Sequence, residues 1–322
     1  MPLIPGSSYC PPYLFNNGHL QTIYPSLARR LSPELYSRER ITTSDDDFLD
    51  LDWARTDSDS LAILSHGLEG SSYRPYMIGM ARALNLHGWD ALAWNYRSCS
   101  GEINRRLRMY HNGSIDDLDA VIRHAFSTDR YRRVALIGFS LGGNLTLMYL
   151  GSLGTAIDHR IESAAAFSVP CDLAAGAREL AKPRNCFYMQ QFLVSLHGKI
   201  RKKMELLPGE IDDKDYHRIR NFKEFDDRYT APIHGFKNAE DYWAKCSCKQ
   251  FIPSITIPTL IVNSRDDPFL VDGCYPVLEA ERNRFVHLEM PRHGGHVGFV
   301  QFDHKGTYWS EQRAMEFLAQ EL

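Results

Sequence analysis

Residues 134–145 read Val-Ala-Leu-Ile-Gly-Phe-Ser-Leu-Gly-Gly-Asn-Leu. A short apolar run breaks at Gly138-Phe139-Ser140-Leu141-Gly142 and resumes as a helix-compatible stretch from Asn144 to Leu150. Such a run is the pattern of a strand buried on both faces. A strand that turns into a helix over so few residues bends at a strained position. Gly138 and Gly142 let the two arms pass at close range because they have no Cβ. The serine oxygen is then left exposed above the strand end, at the positive end of the following helix. Strand, Gly-x-Ser-x-Gly and helix in this order predict a nucleophilic Ser140, and they require the rest of the chain to build a sheet under that turn.

A chain of 322 residues makes one large domain or two small ones, and 43% apolar with 24% charged residues suffice for a sizeable core. A net charge of −3 speaks against a nucleic-acid or polyanionic partner. Cys10, Cys99, Cys171, Cys186, Cys246, Cys248 and Cys274 show no framework spacing, so they read as reduced thiols of a cytoplasmic protein. Cys246-Ser247-Cys248 lacks a second ligand pair, and no metal site is predicted. The first fifteen residues have no basic n-region, so no signal peptide is expected. No apolar run approaches ~18 residues, so no transmembrane segment is expected.

Residues 1–37, rich in Pro, Gly and Tyr, read as an extended arm without periodicity, with Asn17–Thr22 as a polar turn holding a satisfied His19. Arg38–Thr43 and Phe48–Trp53 read as a hairpin, its second strand half solvated, joined by a solvated turn at Asp45-Asp46-Asp47. Strands follow at Leu61–Leu64, Ala91–Trp94, Val134–Ile137, Ala164–Val169, Thr259–Asn263 and Val286–Met290. Helices are predicted at Pro75–Leu86, Ile115–Phe126, Phe187–Leu196, Lys199–Leu206 and Trp309–Leu322. Strands alternating with helices predict a mostly parallel α/β sheet. The alternation fails between 171 and 250, where the chain is charged and aromatic. That segment reads as an inserted helical cap on a core of residues 1–170 and 251–322.

A serine hydroxyl needs a base, and the base needs a group that holds its tautomer. In the chain order serine, acid, histidine, the acid follows the next-to-last strand and the histidine the last, both at the carboxyl edge of the sheet. Two adjacent aspartates compete for the acid. Asp267, which opens the turn Asp-Pro-Phe, is favoured, and Asp266 is expected to cap the turn or face solvent. His296, after Gly294-Gly295, is favoured as the base over His293. The oxyanion of an acyl transfer needs two fixed donors. Their natural sources are the backbone N–H of Leu141, beside the nucleophile, and that of Leu68 in His66-Gly67-Leu68-Glu69-Gly70.

These pieces, with Asn17-Gly18-His19-Leu20-Gln21-Thr22, Asn95-Tyr96-Arg97, Ser100-Gly101-Glu102, Tyr110-His111-Asn112-Gly113, Asp266-Asp267-Pro268-Phe269 and Gly294–Phe299, span nearly the whole chain in order. On them the chain resembles the α/β-hydrolase superfamily and, within it, the YheT-like group of predicted esterases. The resemblance implies a triad of Ser140, Asp267 and His296 and an esterase acting on acyl esters. The favoured expectation is hydrolysis of short- to medium-chain acyl esters by acyl transfer, which needs no metal or organic cofactor. A lipid-directed lipase or acyltransferase using the same triad, and a non-catalytic binding protein, are the alternatives. Relatives with a membrane helix before the Asn-Gly-His-Leu-Gln segment act on lipids; this sequence starts close to that segment, so membrane anchoring is not expected. The cap residues Phe187, Tyr188, Met189, Phe192 and Leu193 are expected to line an acyl pocket. His111 and Asp116 match a His-x4-Asp pattern of related acyltransferases, a spacing that chance readily supplies.

Overall fold

The computed structural model describes residues 2–303 and 306–320. They form strands β1 (Leu3–Ile4), β2 (Ser37–Thr42), β3 (Phe48–Ala54), β4 (Ser60–Ser65), β5 (Asp90–Asn95), β6 (Arg133–Phe139), β7 (Ile161–Phe167), β8 (Thr259–Val262) and β9 (Val286–Glu289). These lie in one sheet in the order β1-β9-β8-β7-β6-β4-β5-β3-β2. Every pair is parallel except β2 with β3 and β3 with β5. The apolar runs of β4 to β7 occupy the centre, where strands are covered on both faces.

The helices, in chain order, are α1 (Gly18–Ala28), α2 (Pro75–Leu86), α3 (Ile115–Ser127), α4 (Leu141–Leu153), α5 (Leu173–Leu180), α6 (Cys186–Leu206), α7 (Phe222–Phe225), α8 (Ala231–His234), α9 (Ala239–Cys246), α10 (Val277–Glu281) and α11 (Trp309–Gln320). One face of the sheet packs on Leu118, Ile122, Leu145 and Leu150 of α3 and α4. The other packs on Met77, Met80, Leu84, Met315 and Phe317 of α2 and α11. This is the α/β-hydrolase fold. Between β7 and β8 the described chain is helical and has its own apolar cluster, in which α6 meets Phe269 and Met109 of the sheet side. Among the described residues no helix is long and apolar enough to cross a membrane.

Four local expectations are corrected. First, the extended arm contains α1, whose first turn is capped by Asn17 Oδ1 accepting from Leu20 N–H at 3.0 Å. Its buried residues are Gly18, Gln21 and Pro25. The helix is held by close backbone approach and amide hydrogen bonds, so there was no apolar stripe to read. Second, β3 is buried along its whole length. Its Asp50 and Asp52 are covered by Arg40 and Arg38 of the edge strand β2, at 2.7 and 2.8 Å. Third, the acidic turn is not simply solvated. Asp47 is fully buried, while Asp46 faces water. Fourth, the two short helices of the 171–250 segment are one 21-residue helix, α6. Gly198 sits in open space on it and costs only about 1 kcal/mol relative to alanine.

The buried guanidinium of Arg97 explains the acidic turn. It donates to Asp117 at 2.8 and 2.9 Å, to Asp45 at 2.8 and 3.0 Å, and to Asp47 at 3.1 Å, tying the loop after β5 to α3 and to the β2–β3 turn. Removing the cation strands two buried carboxylates. Arg97→Met is expected to destabilise the fold by roughly 3–5 kcal/mol in urea unfolding. A loss below about 1 kcal/mol would show that the network is a solvated surface cluster.

Candidate active site

The turn after β6 has the strain its glycines anticipate. Ser140 has φ 53° and ψ −116°, and its N–H donates to Phe167 O at 2.8 Å. A Cβ on Gly138 would lie 2.3 Å from Gly142 O, and one on Gly142 would lie 2.1 Å from Ser65 O. Only hydrogen fits at either position.

The ends of β8 and β9 bring the acid and the imidazole to this turn. His296 Nε2 lies 2.9 Å from Ser140 Oγ, and His296 Nδ1 lies 2.8 Å from Asp267 Oδ2. An Nδ1–H directed at the carboxylate leaves Nε2 to accept the serine proton. Asp267 is buried and its Oδ1 accepts from Phe269 N–H at 2.8 Å, while the Phe269 ring lies 4.2 Å from the imidazole. Asp266 turns away. It accepts from Gly295 N–H at 2.9 Å and lies 3.1 Å from His293 Nδ1, so this second pair braces the histidine loop from outside.

His66 is fully buried. Tyr96 N–H donates to its Nε2 at 3.3 Å, which puts the ring proton on Nδ1, facing Gly67 O at 2.7 Å. Burial pushes its pKa down to about 3, so it stays neutral and shapes the loop that follows. In that loop Gly67 N–H donates to Tyr76 OH, Glu69 N–H to Tyr110 OH and Gly70 N–H to Gly67 O. The hydrogen bonds of the described residues include none from Leu68 N–H or Leu141 N–H, and both residues line the cavity beside Ser140 and His296. Glu69 has φ 53°, and its carboxylate is held by Tyr110 OH at 2.6 Å, by Lys199 Nζ at 2.7 Å and by Ser195 Oγ. Helix α6 is thereby tied to the residue next to Leu68.

The cavity measures about 130 Å³, near the ~150 Å³ of an engineered apolar cavity that takes a benzene ring. Its apolar wall includes Leu173, Leu180, Phe192, Leu196, Phe225 and Phe269. Of the five aromatic and aliphatic residues expected there, only Phe192 faces it. Phe187 is exposed, while Tyr188, Met189 and Leu193 pack α6 into its own cluster. His19 is a satisfied histidine, its Nδ1 3.1 Å from Tyr188 OH. His111 lines the cavity, but Asp116 is paired with Arg108 instead, so the His-x4-Asp spacing does not make a pair.

A profile of the alpha/beta hydrolase fold matches residues 63–303. The chain belongs to the α/β-hydrolase family. This hydrolase is 33% identical over 315 residues to a candidate esterase of Escherichia coli (strain K12), YheT, covering 94% of this chain and 91% of that one. It is 28% identical to the mouse phospholipase ABHD3 over 291 residues (87% and 70% of the two chains). To a monoacylglycerol lipase of Saccharomyces cerevisiae it is 28% identical over 270 residues (81% and 59%). Among solved structures, the esterase Pf2001 of Pyrococcus furiosus superposes with a TM-score of 0.61 at 21% identity, over 97% of this chain and 99% of that one, a likeness of fold.

What the residue reading of the hydrolase missed is the role of α1. Thr22 Oγ1 accepts from His296 N–H at 2.8 Å and donates to Gly18 O at 2.6 Å. Gln21 Oε1 accepts from Val300 N–H at 2.9 Å. A Cβ on Gly18 would lie 1.8 Å from Asp266 O, and one on Gly295 would lie 2.4 Å from Gly18 O. The polar segment Asn17–Thr22 is therefore the clamp of the acid and histidine loops. The sequence marked the segment as a largely polar motif shared with the family it resembles, but with no apolar period to show that it is a helix. Thr22→Val is expected to slow fluorophosphonate labelling of Ser140 by roughly tenfold, about the worth of one hydrogen bond, with Thr22→Ser near wild type. Equal rates for the two variants would show that the clamp does not position His296.

Asp226, in the cavity wall, accepts from Trp243 Nε1 at 2.8 Å and Thr230 Oγ1 at 2.6 Å. Burial raises its pKa from 3.8 to about 7. The folded chain thus holds a proton that the unfolded chain releases near pH 4, so stability falls as pH rises through that window and levels off above pH 7. Asp226→Asn lacks this loss. Its stability relative to wild type should increase between pH 4 and pH 8 by up to roughly 4 kcal/mol, read from paired thermal melts. A pH-independent gap would place the ionised carboxylate in the fold.

Proposed function

We propose that this α/β-hydrolase is a serine esterase that cleaves carboxylic esters of short to medium acyl length. The observation that carries the reading is the unbroken hydrogen-bond chain Ser140–His296–Asp267 opening on a small apolar cavity. Ser140 attacks the ester carbonyl as His296 takes its proton, and Asp267 stabilises the imidazolium. The N–H groups of Leu68 and Leu141 hold the oxyanion, each worth roughly 2.7–4 kcal/mol to the transition state. His296 then protonates the leaving alcohol, and a water activated by the same ring releases the acid. Residues 171–250 act as the cap, whose α5, α6 and α7 residues wall the acyl group away from water. The free thiols, five of them buried, suit the reducing cytoplasm. The phospholipase and lipase among the relatives favour a second reading, in which the same triad acts on the acyl ester of a lipid.

A fluorophosphonate probe should label the wild type and not Ser140→Ala. The variant should lose roughly 10³-fold or more in kcat on p-nitrophenyl esters. Chain-length profiles should favour butyrate to octanoate over palmitate. A preference for palmitate would select the lipid reading, and labelling that survives Ser140→Ala would remove the esterase reading.

A further inference from the structure

The cavity beside Ser140 is apolar over most of its wall but not all of it. His111, Asn112, Asp226, His234 and Tyr242 also line it. The rings of His111 and His234 lie 4.4 Å apart, centroid to centroid, with Tyr242 edge-on to His111 at 5.8 Å. Gly113 N–H donates to His111 Nδ1 at 3.1 Å, which leaves the ring proton on Nε2. Neither that Nε2–H nor either nitrogen of His234 has a hydrogen-bond partner among the described residues. Tyr242 OH accepts from both Asn112 N–H at 3.0 Å and Asn112 Nδ2 at 2.8 Å, so its own proton is free to be donated. The cavity thus presents donors and acceptors that the protein itself does not satisfy and that a bound molecule or water can meet.

The charge of the missing partner can be narrowed. Burial pushes the pKa of His234 down to about 4 and that of His111 well below its ordinary value, so both rings are neutral near pH 7. The nearest guanidinium groups are already committed, Arg108 to Asp116 and Arg97 to Asp45, Asp47 and Asp117. Among the described residues that line the cavity there is no lysine or arginine to meet an anion, and Asp226, which holds its proton up to about pH 7, adds no positive charge. A group that both donates and accepts without charge matches two neutral imidazoles and a phenol. A hydroxyl is the smallest such group and suits a cavity of this size.

We propose that His111 and His234, with Tyr242 beside them, form a polar subsite that takes an uncharged hydroxyl on the part of the ester that enters the cavity. The inference rests on the esterase reading. It makes the hydrolase selective for oxygenated over plain esters, because a site built to hydrogen-bond a hydroxyl discriminates against the analogue that leaves its buried polar groups unmet.

The test compares kcat/KM in two series on the intact chain. One sets methyl ω-hydroxyalkanoates against methyl alkanoates of equal length. The other sets the monoacetates of diols against the acetates of simple alcohols. The wild type should prefer the hydroxylated member at least tenfold in one series, and the series that responds identifies which half of the ester lies in the cavity. His111→Phe and His234→Phe should bring that ratio to within about twofold of one, while His111→Gln, which keeps a donor, should retain most of it. Fluorophosphonate labelling of Ser140 in each variant confirms a folded site. A wild-type ratio near one in both series, with plain esters hydrolysed and Ser140 labelled, overturns the subsite and leaves the esterase standing. A high ratio that survives both phenylalanine variants also overturns it. Absence of both labelling and ester hydrolysis in the wild type removes the esterase reading and the subsite with it.

Discussion

The contact on which this structure depends most is the crossing of β6 into α4. Gly142 passes so close to the Ser65 carbonyl, and Gly138 so close to the Gly142 carbonyl, that a methyl group at either position would sit inside a backbone atom. The crossing holds Ser140 at positive φ, a conformation a serine adopts only when its surroundings over-determine it. Those surroundings are the central strands β4, β6 and β7, buried on both faces, with Ser140 N–H bonded to the end of β7. The sheet is thus what makes the strained turn affordable, and the turn sets where every other group of the site has to arrive.

Two loops arrive there from the far side, and neither is rigid on its own account. The histidine loop carries glycines at positive φ together with Val297 at φ 59° and Phe299 at φ 43°. Its shape is imposed by contacts from outside it: Thr22 on His296 N–H, Ser168 on Val297 N–H and Gln21 on Val300 N–H. Helix α1 is therefore part of the site although it is more than 250 residues away in the chain from the imidazole it orients. The cost of such a design is that the helix buries polar and small residues and contributes little apolar area.

The helical segment between β7 and β8 is coupled to the site in the same manner, through polar groups at special positions. Lys199 and Ser195 of α6 meet Glu69, the residue after Leu68. Four residues further on, the buried Lys203 donates to the carbonyls of Asn104 and Arg106 and to Asn104 Oδ1. Helix α6 is thus tied by side-chain hydrogen bonds both to the loop after β4, beside Leu68, and to the loop after β5.

The sequence by itself determined the sheet-and-helix alternation, the position of the serine turn and the carboxyl-edge positions from which an acid and a histidine could reach it. Apolar periodicity and glycine spacing are local properties, and they are written in order along the chain. The tertiary structure sets Asp266 and Asp267 apart, because adjacent carboxylates differ only in which way the turn faces them: Asp267 meets His296, and Asp266 meets Gly295 and His293. It also made α1 a clamp, buried the aspartates of β3 under arginines from an edge strand, and turned most of the aromatic residues expected around the acyl group away from the cavity. Those outcomes rest on pairings between residues tens to hundreds of positions apart, where hydrogen bonds and close backbone approach do what an apolar stripe does elsewhere, and such pairings leave no period in the sequence to read.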